Sequence, residues 1–130
     1  MHQHRVGSIG QVAITVSDVS VALDYYCQVL GLKLLFRSDP NLAFVSDGAL
    51  RIMLSTPQGE FAIASNSVLY FRVDDIQASF SAIVERGSNT ERAPELVAQM
   101  QDHDLWLAFL RDPDGNLVGL MEEKSATRIA

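Results

Sequence analysis

The chain has 130 residues, of which 48% are hydrophobic and 20% charged, a mixture typical of one globular domain and not of a disordered chain. Its formal net charge of -6 repels phosphate backbones and anionic lipids, so we expect neither nucleic acid nor membrane as a partner. With Cys27 as the one cysteine, no intramolecular disulfide can form, and the first residues lack the apolar run of a signal peptide. These features together predict a cytoplasmic protein.

Two related segments organise the chain. Residues 9–31 have the form of a strand, a tight turn and an amphipathic helix, and residues 66–88 repeat that form. Aligning the two segments places Asp18 on Asp75, at the start of each helix. Because an internal repeat determines the architecture, we expect two copies of one structural unit.

The first copy begins with alternating apolar and polar residues, which predict a half-buried strand at 9–16. Asp18 can cap the helix that follows, and Gly31 stands where a left-handed C-terminal cap is expected. The helix carries an apolar stripe at i, i+3, i+4 and i+7, formed by Leu23, Tyr26, Cys27 and Leu30. Since Cys27 lies on this stripe, we expect it to fill the core and not to act as a nucleophile. Three strand-like runs follow, at 32–38, 41–47 and 49–56.

The second copy contains a strand at 68–73 and a helix whose apolar stripe consists of Ile76, Phe80, Ile83 and Val84. A short strand at 89–92 and a polar loop at 99–104 are expected next. Two further strands, at 104–111 and 116–122, flank an Asp-Pro-Asp-Gly sequence, in which Asp112 and Asp114 are expected to form the turn.

The tandem β-α-β-β-β units, this turn at 112–115 and the helix end YYCQVLGL at 25–32 resemble the vicinal oxygen chelate superfamily. That superfamily includes glyoxalase I, bleomycin-resistance proteins, fosfomycin-resistance enzymes and extradiol dioxygenases. The resemblance covers about residues 9–123 and implies an α+β fold, in which tandem βαβββ modules form a curled mixed sheet. It implies a single domain at 1–130, with module one at about 9–56, a connector at 57–66 and module two at about 67–123. A homodimer is expected on the same grounds.

Metal-using members of that superfamily hold one divalent ion with four side chains on the inner face of the sheet. The resemblance places these positions at Gln11, Met53, Val68 and Gly119, where the family pattern has His or Gln, Glu, His and Glu. A thioether, an isopropyl group and a glycine cannot replace two carboxylates and an imidazole as ligands. We therefore predict no metal ion and no other cofactor. The pair His2 and His4 is interpreted as part of a polar terminus and not as a metal site.

Strand parity places Arg51, Tyr70 and Arg72 on the same face as these four positions. The resemblance places Phe109 on that face as well. Apolar and aromatic groups with a few polar tips favour a pocket for a small organic molecule. Arg51 and Arg72 could bind an anionic group of that molecule or pair with acidic residues of the chain. Trp106 has the opposite parity and is expected to pack in the core.

His103 is the candidate catalytic residue, because a neighbouring carboxylate of Asp102 or Asp104 could orient its ring for proton transfer. The alternative is a solvated loop histidine. Three functions follow as hypotheses. The first is metal-independent binding that sequesters a toxic or antibiotic-like compound; the second is a glyoxalase-type lyase or isomerase that uses His103 and Arg72. The third is a dioxygenase-like metal enzyme that uses Gln11 and His103.

Overall fold

Two four-stranded sheets form the framework of the structure, a computed structural model that describes residues 5, 8–57 and 67–128. The first sheet contains β1 (Gln11–Thr15), β2 (Lys33–Asp39), β3 (Leu42–Ser46) and β4 (Arg51–Ser55). The second contains β5 (Leu69–Arg72), β6 (Asn89–Gln99), β7 (His103–Arg111) and β8 (Leu117–Ser125). The helices are α1 (Val19–Leu23), which continues as a π-helical segment (Asp24–Val29), and α2 (Ile76–Glu85).

The strand order is β1-β4-β3-β2 in the first sheet and β5-β8-β7-β6 in the second. In each sheet the first and last strands of the unit pair in parallel, and the other neighbours are antiparallel. The same βαβββ unit thus occurs twice, which confirms the predicted α+β fold of tandem modules. We call the β1–β4 unit with α1 module one and the β5–β8 unit with α2 module two. The predictions for His2, His4 and most of the connector at 57–66 lie outside the described residues.

Both copies of the repeat use the same helix caps. A carboxylate oxygen of Asp18 accepts a hydrogen bond from the Val21 amide, and Asp75 does the same for Ala78, each at 3.1 Å. At the other end, Gly31 and Gly87 have φ values of 91° and 113°, in the left-handed region that favours glycine. The equivalence of the two caps agrees with the repeat found in the sequence.

The first helix departs from the predicted α-helical stripe. The Leu30 amide donates to the carbonyl of Tyr25 at 2.9 Å, the five-residue step of a π-helix. This wider turn rotates the buried face, so that Tyr25 and Tyr26 are both buried, whereas Leu23, Cys27 and Leu30 are half-buried against the core. Desolvation by burial raises the pKa of Cys27, which fits the predicted packing role.

The segment before the last hairpin also differs from expectation. Instead of a short strand at 89–92, β6 continues to Gln99, and β7 already begins at His103. Pairing with β7 extends β6 through three register shifts, which alternation in the sequence does not reveal. The predicted loop at 99–104 is therefore shorter than expected, at residues 100–102, and His103 lies in a strand. Trp106 packs against the core as predicted, with Lys124 Nζ 4.5 Å from its ring centroid.

The two sides of each sheet have different roles. One side packs beneath the helices and supplies the core residues Ala43, Val45, Ile52, Leu54, Ala108, Leu110, Val118 and Leu120. The other side, here called the open face, points away from the helices. By register it carries Gln11, Ala13, Phe44, Arg51 and Met53 in module one and Tyr70, Arg72, His103, Phe109, Gly119 and Glu123 in module two. Among the described residues, no helix is long and apolar enough to cross a membrane.

The buried carboxylate of Asp112 joins the two modules. It is 2% exposed and accepts from the Tyr26 hydroxyl of module one at 2.8 Å. It also accepts from the backbone amides of Asp114 and Asn116, at 2.9 and 2.7 Å, and from the Asn116 side chain at 2.9 Å. Burial, together with the Asp112 carboxylate, raises the pKa of Tyr26, so the hydroxyl stays protonated and donates.

Two more contacts reinforce this junction. The Ser17 amide donates to both carboxylate oxygens of Asp114 at 3.1 Å, and the Asn116 side chain donates to the Thr15 carbonyl at 3.3 Å. The Asp-Pro-Asp-Gly sequence therefore forms its turn, as predicted, and also clamps the junction between β1 and α1 in the other module.

We expect Asp112→Ala to lower the free energy of unfolding by about 2–3 kcal/mol, because the buried Tyr26 hydroxyl loses its acceptor. Asp47→Ala is the matched control, since Asp47 caps an exposed turn by accepting from the Ala49 and Leu50 amides, at 2.9 and 2.8 Å, within one module. Its loss is expected to cost about 1 kcal/mol or less. Urea unfolding followed by the fluorescence of Trp106 measures both. Equal losses in the two variants would contradict the clamp.

Candidate functional site

On the open face of module one, three predicted residues come into contact. Parallel pairing places Gln11 directly opposite Arg51, and the Gln11 side-chain oxygen accepts from Arg51 Nε at 2.9 Å. The Gln11 side-chain nitrogen lies 3.8 Å from the sulfur of Met53. The Arg51 guanidinium lies 5.4 Å from the ring centroid of Phe44, within the range of a cation–π contact. The side-chain oxygen of Gln11 is therefore already bound to a positively charged group, the guanidinium of Arg51 on the neighbouring strand.

On the open face of module two, Gly119 lies between two aromatic residues. It is opposite Tyr70 on β5 and opposite Phe109 on β7. The two rings meet edge to face, with centroids 5.8 Å apart and planes at 75°. A Cβ atom added at Gly119 would lie 2.7 Å from Cδ2 of Tyr70, closer than real Cβ atoms approach. The tyrosine ring thus occupies the space that any side chain at position 119 would need. Val68 lies directly before β5 and is half-buried.

A chain of charged groups runs along the same face. His103 Nδ1 lies 2.8 Å from Asp102, and His103 Nε2 lies 3.0 Å from Glu123. The other oxygen of Glu123 lies 2.6 Å from a terminal nitrogen of Arg72. Only a ring that carries both protons can donate to both carboxylates. The hydrogen bond with His103 lowers the pKa of Asp102.

Glu123 is the site residue that the sequence reasoning missed. The strand was expected to end at 122, whereas β8 continues to Ser125 and puts Glu123 on the face of Gly119. Counting onward in twos from Gly119 would have identified it. Of the two acids considered as partners of His103, Asp102 makes the contact, whereas Asp104 forms an ion pair with Arg128.

The residues at the four family positions do not fit a divalent ion. Gln11 is one neutral donor whose oxygen already accepts from Arg51. Met53 offers a thioether, Val68 offers no donor, and Tyr70 covers Gly119. Within the described part of the chain, no group of three or more His, Cys, Asp or Glu side chains is close enough to hold a metal.

A cavity of about 110 Å³ lies elsewhere, where β1 approaches β5 and β8. It is lined mainly by apolar side chains, among them Val12, Ile14, Leu69, Phe71 and Val118. None of the predicted site residues lines it. The predicted residues form two separate clusters, one on each open face, and among the described residues no hydrogen bond, ion pair or ring contact joins them.

Comparison with known proteins agrees with this architecture. The model of the Glyoxalase/Bleomycin resistance protein/Dioxygenase superfamily matches residues 8–120. A probable lactoylglutathione lyase of Vibrio parahaemolyticus is 31% identical, over 93% of this chain and 94% of that protein. A lactoylglutathione lyase of Escherichia coli is 28% identical, over 88% of this chain and 92% of that protein.

Among solved structures, a member of the same superfamily from Sphaerobacter thermophilus superposes with a TM-score of 0.75 at 28% sequence identity. The superposition covers 91% of this chain and 98% of that one, so both modules are included. Family match, curated relatives and fold agree with the resemblance inferred from the repeat and the turn. The chain belongs to the glyoxalase/bleomycin resistance protein/dioxygenase superfamily.

Proposed function

We propose that this protein binds and sequesters a small organic molecule, toxic or antibiotic-like, on the open faces of its sheets without a metal ion. The observation that carries the proposal is the Tyr70 ring over Gly119, because it fills the position of a metal-binding carboxylate with an aromatic surface. The engagement of Gln11 by Arg51 supports it from the other module.

The surface of the open faces suits such a ligand. Phe36 and Phe44 lie with ring centroids 4.7 Å apart, and Phe36 is 50% exposed. Tyr70, at 47% exposure, adds a second accessible ring on module two. Exposed aromatic groups with a few fixed polar partners are typical of sites for organic molecules. The same exposed apolar area supports pairing with a second copy of the chain, and we propose a homodimer on this ground.

Metal content tests the proposal most directly. Protein without an affinity tag is produced in medium with added nickel, zinc, iron and manganese and purified without chelator. It is expected to contain less than about 0.1 metal ion per chain, since no site within residues 8–57 and 67–128 offers about three ligands. Plasma mass spectrometry measures this, and an E. coli relative named lactoylglutathione lyase, prepared identically, is the comparison. A stoichiometric ion in this chain would overturn the metal-free proposal.

A double-mutant cycle tests the position of the Tyr70 ring. Gly119→Ala is expected to destabilise the wild type but not Tyr70→Ala, with a coupling free energy of about 1–2 kcal/mol. Gly10→Ala is the matched control, because a Cβ atom there meets nothing within 4 Å. Urea unfolding of the single and double variants supplies the values. Additive effects of Gly119→Ala and Tyr70→Ala would show that the ring does not fill this space.

A glyoxalase-type lyase or isomerase is the second candidate. It is favoured by the contacts of His103 with two carboxylates and by the relatives named lactoylglutathione lyase. For proton transfer, His103 Nε2 would exchange its contact with Glu123 for one with the substrate, while Asp102 keeps Nδ1 in place and Arg72 holds Glu123.

If this second function is correct, turnover of lactoylglutathione is expected to fall about 100-fold or more in His103→Ala and to be unaffected by a chelator. Product analysis by chromatography checks both statements. Arg37→Gln is the control, since Arg37 donates to Ser20 and Pro40 and lies outside both clusters. No turnover by the wild type, or full turnover by His103→Ala, would exclude this candidate.

A further inference from the structure

We propose that Arg51 is the anchor of an anion-binding site on the open face of module one, and that the ligand is an aromatic molecule with a carboxylate group. This inference rests on the proposed function and names the chemical class of its ligand. It follows from the order in which the sheet register arranges charged and aromatic side chains.

One row across the four strands collects the positive charge. Register aligns Lys33 on β2 with Ser46 on β3, Ser46 with Arg51 on β4, and Arg51 with Gln11 on β1. The row therefore contains two cations and no carboxylate. The chain as a whole has a formal net charge of -6, whereas this row is positively charged and attracts an anionic group.

Arg51 is held in place by neutral groups. Gln11 accepts from its Nε at 2.9 Å, and the Phe44 ring lies 5.4 Å from its guanidinium carbon. The two terminal nitrogens take no part in the bond to Gln11 and form a fork that matches a carboxylate. A side chain oriented in advance loses less conformational entropy when it binds a ligand.

Most of the other arginines differ from Arg51 in their partners. Four form ion pairs with acidic side chains: Arg72, Arg92, Arg111 and Arg128. Arg37 uses Nε and both terminal nitrogens on Asp39, Ser20 and Pro40, all through neutral oxygen atoms. Arg86, at the end of α2, donates its Nε to the Val29 carbonyl at 2.9 Å and, like Arg51, has no ion pair with a described carboxylate. Arg51 is set apart by its place on the open face beside Phe44, where its charge remains for a ligand.

The next row on the open face is apolar. It contains Phe36 and Phe44, which are aligned across β2 and β3, followed by Met53 and Ala13. Neighbouring rows on one face lie about 7 Å apart, since two residues of a strand separate them. A ligand whose anionic group meets Arg51 therefore extends its body over these rings. This spacing favours an aromatic carboxylate over a bare inorganic anion.

Isothermal titration calorimetry with three naphthyl probes tests the charge preference. We expect 2-naphthoate to bind at least about tenfold more tightly than neutral 2-naphthamide or cationic 2-naphthylmethylammonium. Arg51→Gln is expected to remove about tenfold of the naphthoate affinity and to leave the naphthamide affinity unchanged. Arg51→Lys keeps the charge without the fork and should give an intermediate value.

Arg37→Gln is the matched control, because Arg37 lies in the same sheet with a charge of the same sign, and its naphthoate affinity should equal that of the wild type. Since Arg51 is exposed, urea unfolding is expected to show that its variants fold. Equal affinity for the three probes, unchanged in Arg51→Gln, would overturn the anion site and leave small-molecule binding intact. No binding of any probe to the wild type would overturn both.

Discussion

The buried carboxylate of Asp112 is the interaction on which the rest of the structure depends. A carboxylate is removed from water only if its oxygens find donors, and here two backbone amides, an amide side chain and a phenol supply them. The phenol belongs to Tyr26 in the other module, so satisfying one charge also fixes how the two modules meet. Its neighbour Asp114 adds a bond to the backbone of Ser17. A turn that looks local in the sequence is therefore the main polar contact between the modules.

The helix sides of both sheets supply most of the core, whereas the open faces carry the predicted site residues. On these faces the superfamily's metal positions have been replaced by side chains that satisfy one another. Arg51 supplies a positive charge beside Gln11, and Tyr70 supplies an apolar surface above Gly119. On module one, the guanidinium of Arg51 thus lies beside Gln11 as a positively charged group, as a metal ion would in a metal-using member. If the proposed function is correct, these contacts form a binding surface at the positions where the family pattern has metal ligands.

Several parts of the fold were predictable because they depend on residues close in the sequence. The caps at Asp18 and Asp75 follow from side-chain chemistry within one helical turn. The left-handed helix ends were predictable because each helix is followed by a glycine, the residue that adopts positive φ most readily. The length of β6 was underestimated because it depends on residues that are not close in the sequence. Its length comes from pairing with β7 through register shifts, and pairing energy is not visible in the local alternation. The start of β7 and the end of β8 were also set too short, which placed His103 in a loop and left out Glu123.

The sequence by itself determined the tandem βαβββ architecture, the superfamily and the absence of donors at three of four metal positions, since these depend on pattern and residue type. Only the tertiary structure decided which groups replace the ligands. Contacts between Arg51 and Gln11, between Tyr70 and Gly119, and between His103 and Glu123 each join strands far apart in the chain. Their geometry depends on the register of pairing, and a shift of one residue would turn every one of these side chains to the other face.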